Sequence, residues 1–381
     1  MRGMVISLKI NHVVILYASV GGGHFKAAEA VKNYIVEHYP KCHVEMIDAL
    51  KYTSKVMDKI IIDSYVNMAR YSPKMWGEIY KISEKQYSVT NFSNAVQRVL
   101  SKKLLTLLED SHPDTIISTH PFITEMVASL KKRKKISTEL NVIITDYASH
   151  KFWELKPQFV NRYFVACDDV KFTLINHGID KDKIFVTGIP IGPAFLKEFD
   201  KGKIYQEFGL DSGKKTVLLF GGGEYGLSNV KNFLSGLLSV DEDFQLVAIA
   251  GKNLKTKKMF ERVTEGFDKS VTILGYTNKV PELMHIADFI VSKPGGLTST
   301  EILASGVPFM IINPIPGQEE ENARFFLNAG AAVRLYDSEK TKPLFEQLFA
   351  SEERISSMKE MQKLIAKPHS TEEIARIIMR D

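Results

Sequence analysis

The sequence predicts an α/β protein built from two doubly wound, Rossmann-like halves. Three observations carry this prediction: a strand, a GGG turn and a helical pattern in succession over 12–38, the same succession again from Thr216 onward, and βα alternation through most of the remaining chain. At 381 residues, 44% hydrophobic and 25% charged, the chain is long enough for two domains of roughly 100–200 residues. This composition excludes disorder and a coiled coil.

The first element is His12–Ala18 (HVVILYA), a β-branched apolar run suited to a strand covered on both faces. Gly21, Gly22 and Gly23 follow it, and a helical pattern runs from about His24 to His38. Between Tyr52 and Phe92 the alternation lapses into an aromatic, basic and helical segment containing Tyr65, Trp76, Tyr80 and Lys81. Such a stripe either packs on its own domain or meets a membrane interface, where Trp and Tyr favour the headgroups and Lys draws anionic lipid. Further strands are expected at Thr115–Ser118, Asn141–Thr145, Tyr163–Ala166 and Ile184–Thr187. The run Lys131–Lys135 (KKRKK) reads as a solvated loop or helix end; no aromatic platform or reading motif for nucleic acid accompanies it, and membrane contact is the other reading left open.

The Gly- and Pro-rich stretch Thr187–Pro193 marks the domain boundary, giving domains 1–190 and 191–381 with the insert 52–92 in the first. In the second domain, Thr216–Phe220 leads into Gly221–Glu224 (GGGE) and a helix near Leu227. Strands follow at Gln245–Ala250, Thr272–Leu274, Phe289–Ser292 and Phe309–Ile312. The last helix, 371–379, has an open choice of packing partner, the N-terminal domain among them.

Charge is uneven. Residues 1–190 hold 26 Lys and Arg against 19 Asp and Glu, while 191–381 hold 24 against 26, so the net +5 divides into +7 and −2. An acidic partner is expected for the first half. No apolar run approaches the roughly 18–20 residues of a membrane span, and the N-terminus enters a strand without a small-residue cleavage site. Cys42 and Cys167 cannot make a disulfide framework and lack zinc-site spacing, so a reducing, cytosolic setting is expected.

Two C-terminal segments carry the chemistry. Lys293–Glu301 (KPGGLTSTE) places two glycines between a strand and a helix, where backbone N–H groups make an anion site. Asn313–Asn322 (NPIPGQEEEN) leads from a strand into polar and acidic side chains. With GGGE and the turn Gly275-Tyr276-Thr277-Asn278, several strand ends offer phosphate donors and hydroxyl acceptors. The acidic trio Asp241-Glu242-Asp243 reads as a solvated turn and not as a metal site.

In the first half, His24 follows the glycine run at a helix N-terminus, and its ordinary pKa suits general-base work. Asp146 in ITDYASH is the second base or carboxylate candidate, and His120 and His150 rank third.

The GGGH run, KPGGLTSTE and NPIPGQEEEN together resemble the signature of the diacylglycerol glycosyltransferases of glycosyltransferase family 28. That family includes bacterial processive β-glucosyltransferases and plant monogalactosyldiacylglycerol synthases, and the resemblance runs over essentially the whole chain. It implies a B-type glycosyltransferase fold, two Rossmann-like domains facing an interdomain cleft, with acceptor on the first and UDP-sugar on the second. It implies that Glu301 takes the ribose hydroxyls and that Gly296, Leu297 and Thr298, with Gly222 and Gly223, receive the diphosphate. Gly275 and Tyr276 would read uracil through the backbone, and Gln318, Glu319 and Asn322 would serve the donor sugar. Gly22, Gly23, Tyr65, Trp76, Tyr80 and Lys81 are the acceptor and membrane candidates. Many relatives place Asp or Thr before the glycine run where this chain has Ser19 and Val20, so any carboxylate role there is either absent or supplied by another residue, with Asp146 the candidate.

The expected activity is inverting, metal-independent transfer of a hexose, glucose favoured, from a UDP-sugar to diacylglycerol. The setting would be cytoplasmic, at the membrane's inner face, in a bacterial-type protein needing no cofactor and binding no nucleic acid. A UDP-sugar 2-epimerase on a soluble substrate and a non-catalytic UDP-sugar sensor are the alternatives.

Overall fold

A computed structural model of the chain describes residues 9–19, 22–53, 90–222 and 230–380. They fold into two α/β units, each carrying one six-stranded sheet whose pairings are all parallel.

The first unit begins with β1 (His12–Tyr17), α1 (Gly23–His38), β2 (His43–Asp48) and α2 (Ala49–Thr53). It continues with α3 (Thr90–Ser111), β3 (Thr115–Ser118), α4 (Pro121–Lys132), β4 (Glu139–Ile143), β5 (Arg162–Val165), α5 (Asp168–Asn176) and β6 (Ile184–Val186). Val13, Val14, Ile15 and Leu16 of β1 are all fully buried, as a strand covered on both faces requires. The sheet order is β2-β1-β3-β4-β5-β6, so the winding direction reverses between β1 and β3.

The second unit holds α6 (Lys201–Phe208), β7 (Lys215–Phe220), α7 (Val230–Leu238), β8 (Phe244–Ile249), α8 (Leu254–Thr264), β9 (Ser270–Leu274) and α9 (Val280–Ile286). After these come β10 (Phe289–Ser292), α10 (Gly296–Ser305), β11 (Phe309–Ile311), α11 (Gln318–Asn328), β12 (Val333–Arg334), α12 (Thr341–Ala350) and α13 (Glu352–Ile365). Its order, β12-β11-β10-β7-β8-β9, reverses between β7 and β10. Phe233, Phe244, Phe289, Phe345 and Phe349 fill one face of this sheet, with Phe289 edge-on to Phe349 at 5.1 Å.

The division falls between Gly192 and Pro193, and the chain rejoins the first unit at Lys367. There α14 (Ser370–Met379) buries Ile374, Ala375 and Ile378 against Val31 and Ile35 of α1. Ser370 Oγ donates to the Ile189 carbonyl at 2.7 Å and Thr371 Oγ1 to that of Ile191 at 2.8 Å. Gly188 (φ +87°) permits this docking, because a Cβ there would lie 2.5 Å from the Lys367 Cβ.

Two strands escape the sequence reading. β2 (HVEMID) alternates charged and apolar residues because it is an edge strand, and β12 has only two residues. Of the expected helical insert, residues 54–89, with Tyr65, Trp76, Tyr80 and Lys81 among them, lie outside the described residues, as do Gly223 and the helix start near Leu227. The solvated reading of KKRKK fails at its first residue. Lys131 Nζ donates to the Thr138 carbonyl at 2.7 Å and to Asn161 Oδ1 at 2.8 Å, and burial lowers its pKa. Lys132, Arg133, Lys134 and Lys135 are exposed as expected. So is the turn Asp241–Asp243, whose carboxylates pair with Lys342, Lys215 and Lys214.

Candidate functional site

Parallel strands send all their C-terminal ends to one edge, so residues far apart in sequence meet wherever their strands are neighbours. In the first unit the neighbours are β1, β3 and β4. β1 ends in a turn where Gly22 takes a left-handed conformation (φ 77°), and Gly23 opens α1 with no side-chain cap. His24 is therefore the second helical residue. Its Nδ1 lies 3.1 Å from Thr145 Oγ1, just beyond β4, and its carbonyl accepts from Thr119 Oγ1, just beyond β3, at 3.0 Å.

The His120 ring stands nearly edge-on to that of His24, centroids 4.7 Å apart, and the Trp153 ring lies 6.5 Å away. Packing of this kind strips water from the imidazole. Burial pushes His24 down to about 4, opposed in part by its hydrogen bond with the Thr119 backbone. Burial, then the neighbouring His24, holds His120 well below the ordinary histidine range. His120 caps α4 ahead of Pro121, and its Nδ1 is buried with no hydrogen-bond partner among the described residues, as is Trp153 Nε1.

Asp146 is half-buried and follows Thr145 directly, so it shares this edge. His150 serves a different purpose: it is buried, and its Nδ1 accepts from Phe152 N at 3.1 Å, capping the short turn 151–154. The carboxylate beside Ser19 is not that of Asp146. Ser19 Oγ donates to Asp48 Oδ2 at 2.5 Å, because β2 pairs directly with β1 and ends level with it.

In the second unit the winding reversal lies between β7 and β10, and a glycine turn follows each. Gly221 must be glycine: a Cβ would sit 2.9 Å from the Ile249 carbonyl and 3.2 Å from Ala250 Cα, both backbone atoms that cannot swing aside. Gly222 takes φ 77°. After β10, Gly295 holds extended geometry (φ −66°, ψ 138°) as the N-cap of α10, with no side-chain cap and no acidic residue in the first turn. The N–H groups of Gly296, Leu297 and Thr298 thus stand at the positive end of a helix whose own side chains leave it unneutralised. Glu301 is half-buried one turn further along. Lys293, at the mouth of the same turn, has its pKa lowered by burial against an opposing pull from Glu319.

The acidic run after β11 is largely employed in holding the loops. Gly317, at φ 103° and ψ −123°, starts α11. Glu319 Oε2 accepts from Ile315 N at 2.7 Å. Glu320 makes a bidentate pair with Arg334, and Glu321 pairs with Arg324 at 2.9 Å. Asn322 is fully buried, and its Nδ2 donates to the Pro294 carbonyl at 3.0 Å, tying α11 to the KPGG turn. Gln318 begins the helix beside them. Gly275 and Tyr276 leave β9 at the sheet edge, where the Tyr276 ring is 66% exposed with the Lys252 ammonium 5.1 Å over its face.

His24, Asp146 and the glycine turns GGGE and KPGG, with Gly221 and Lys293 in them, are legible in the sequence, whereas Thr119, Thr145 and Trp153 are not. Thr119 and Thr145 adjoin His120 and Asp146, and adjacency at a strand end is the signal that finds them.

Residues 24–191 match the profile of a family described as monogalactosyldiacylglycerol synthase, and residues 216–377 match the glycosyltransferase family 28 C-terminal domain. A processive diacylglycerol β-glucosyltransferase of Bacillus pumilus is 32% identical over 96% of this chain and 94% of its own. Its Bacillus subtilis counterpart is 31% identical over 97% and 95%. Among solved structures, Acinetobacter baumannii MurG superposes with a TM-score of 0.64 at 14% identity, covering 97% of this chain and all of that one. The UDP-GlcNAc 2-epimerase of Neisseria meningitidis, bound to UDP-GlcNAc, gives 0.65 at 16% over the same shares. At such identities these two report the fold alone, which is that of the B-type glycosyltransferases.

Proposed function

This chain belongs to the diacylglycerol glycosyltransferase family, and we propose that it moves a glucosyl unit from UDP-glucose to the hydroxyl of diacylglycerol, inverting the anomeric centre to give a β-glycolipid. The observation that carries this reading is the match of about one residue in three, end to end, with processive diacylglycerol β-glucosyltransferases.

Transfer requires that a proton leave the acceptor hydroxyl and that charge developing on UDP be stabilised. The first task falls to His24. With its pKa near 4 the imidazole is neutral at ordinary pH and ready to accept the proton. The Thr145 hydroxyl can donate or accept, so it holds Nδ1 in either tautomer. A base this weak takes the proton late, once the bond to the leaving group is largely broken and the sugar is cationic. Proton transfer of this kind contributes about 10²–10⁴-fold. Asp146 is the second candidate for this role.

The second task falls to the start of α10. The N–H groups of Gly296, Leu297 and Thr298, with Gly222 and Gly223, receive the diphosphate, each charge–dipole contact contributing about 0.3–2 kcal/mol. Lys293 adds a cation whose burial cost an anion would offset. Glu301 takes the ribose hydroxyls, Gln318 and Glu319 the sugar, and the Gly275–Tyr276 backbone the uracil. β9 lies three strand spacings from β10, about 14 Å, which suits an extended nucleotide laid across the strand ends. Leaving-group stabilisation by N–H groups and Lys293 calls for no metal ion.

Among the described residues no helix is long and apolar enough to cross a membrane. The enzyme would meet its lipid at the cytoplasmic membrane surface, through the insert 52–92 and the exposed cations Lys132–Lys135. Incubating the protein with vesicles of diacylglycerol and anionic lipid and with UDP-glucose should release UDP and form mono- and diglucosyldiacylglycerol, identified by mass spectrometry. Absence of glycolipid with every UDP-hexose would refute the proposal.

A further inference from the structure

At the opposite edge of the first sheet, where the strands begin, two imidazoles and a carboxylate converge. His12 and His43 are direct partners in the parallel register of β1 and β2, and Glu45, two residues beyond His43, points to the same face. His12 Nε2 lies 2.8 Å from Glu45 Oε1, and His43 Nε2 lies 3.6 Å from that same oxygen. The two rings are 4.9 Å apart between centroids, and the ligand atoms of all three residues lie within 4.8 Å of one another.

We infer that His12, His43 and Glu45 bind a divalent transition-metal ion of the Zn²⁺ class. Four ligands around Zn²⁺ at about 2.0–2.1 Å stand about 3.3 Å apart from one another, and the two separations to Glu45 Oε1 bracket that distance. Two imidazole nitrogens and one carboxylate oxygen suit Zn²⁺, Co²⁺ or Ni²⁺ and disfavour Mg²⁺ and Ca²⁺, which take oxygen ligands. Water would complete the shell on the open side, where the His43 side chain is 70% exposed.

The backbone beneath is held in advance of any ion. The N–H groups of Asn11 and His12 both donate to Asp114 Oδ2, at 2.8 and 2.9 Å, and His43 N donates to the Asn11 carbonyl at 2.7 Å. Three residues from two strands therefore reach a shared point with little left to order. Bound there, an ion would clamp the edge strand β2 to β1, remote from the strand ends that carry His24. Its effect would be on stability and not on turnover.

The full-length protein, stripped with chelator and dialysed, is titrated with Zn²⁺ by calorimetry and with Co²⁺ by absorption spectroscopy, and its melting temperature is read with and without Zn²⁺. One ion should bind per chain, Co²⁺ should show bands of low-coordinate nitrogen and oxygen ligation, and the melting temperature should rise. His43→Ala removes an exposed ligand and should fold normally, with metal affinity falling about tenfold or more and the thermal shift lost. Glu45→Gln should act in the same direction. Cys42→Ser is the control for the neighbouring thiol and should bind as the parent does. Equal affinity in parent and His43→Ala, or loss of binding in Cys42→Ser, would overturn the assignment.

Discussion

Thr145 Oγ1 stands 3.1 Å from Nδ1 of His24, a bond between residues 121 positions apart that joins the start of α1 to the exit of β4. Thr145→Val keeps the volume and removes the hydrogen bond. It should lower kcat by about 2–12-fold, since a lost hydrogen bond is worth about 0.5–1.5 kcal/mol, with UDP-glucose KM unchanged. His24→Ala should lower kcat by about 10²–10⁴-fold with UDP affinity intact. Both are read from initial rates on diacylglycerol vesicles and from calorimetric titration with UDP.

The pH profile distinguishes His24 from an ordinary histidine. If it is the base, the acid limb of kcat/KM should fall near pH 4, where the ring takes its proton, and not near 6.5. A limb centred at 6.5 would remove His24 from the role.

Stability should follow the same sign. His24 and His150 are both depressed to about 4 in the folded chain, chiefly by burial, so the unfolded chain binds protons that the folded one refuses. Nothing is lost above pH 6.5, and as pH falls from 6.5 towards 4 each site costs up to ~3 kcal/mol. Urea midpoints measured across that window should drop steeply, and His150→Gln should flatten the drop.

Gly221→Ala should destabilise the second unit by ~1–3 kcal/mol, because the new methyl would meet the Ile249 carbonyl and Ala250 Cα. Denaturant unfolding measures the cost, and UDP titration should show weaker binding as the turn after β7 shifts.

Asn322→Ala leaves the Pro294 carbonyl without its buried donor. A stability loss of ~1–3 kcal/mol is expected. UDP affinity should fall even if Asn322 never touches the nucleotide, because the KPGG turn loses its tether. Asn322→Asp, with no amide to donate, should not rescue it.

The strands and glycine turns were legible because a strand covered on both faces must read as an apolar run, and a turn against a helix start needs glycine. His24 was legible for the same local reason. The partners of His24 were not, because Thr119 and Thr145 reach it only through the strand order β1-β3-β4, which no local pattern encodes. The loop contacts of Asn322 and Glu319 were not legible either: beside the sugar roles that the resemblance implies for them, Asn322 bonds to Pro294 and Glu319 to Ile315, since polar groups at a helix start also serve loops. Lys131 shows the converse: in a run of five cations, neighbours say nothing about which one turns inward to Thr138 and Asn161.

The return of α14 to the first unit governs how this gene can be cut. Among the described residues the second unit is drawn from the single stretch Pro193–Ala366, whereas the first is finished only by the closing segment Lys367–Arg380. Expressed alone, 1–192 would present α1 with the seam of Val31 and Ile35 that Ile374 and Ile378 otherwise cover, and it should aggregate. A short linker from Gly192 to Lys367 should restore solubility, and 193–366 by itself should be a self-sufficient module for titration with UDP.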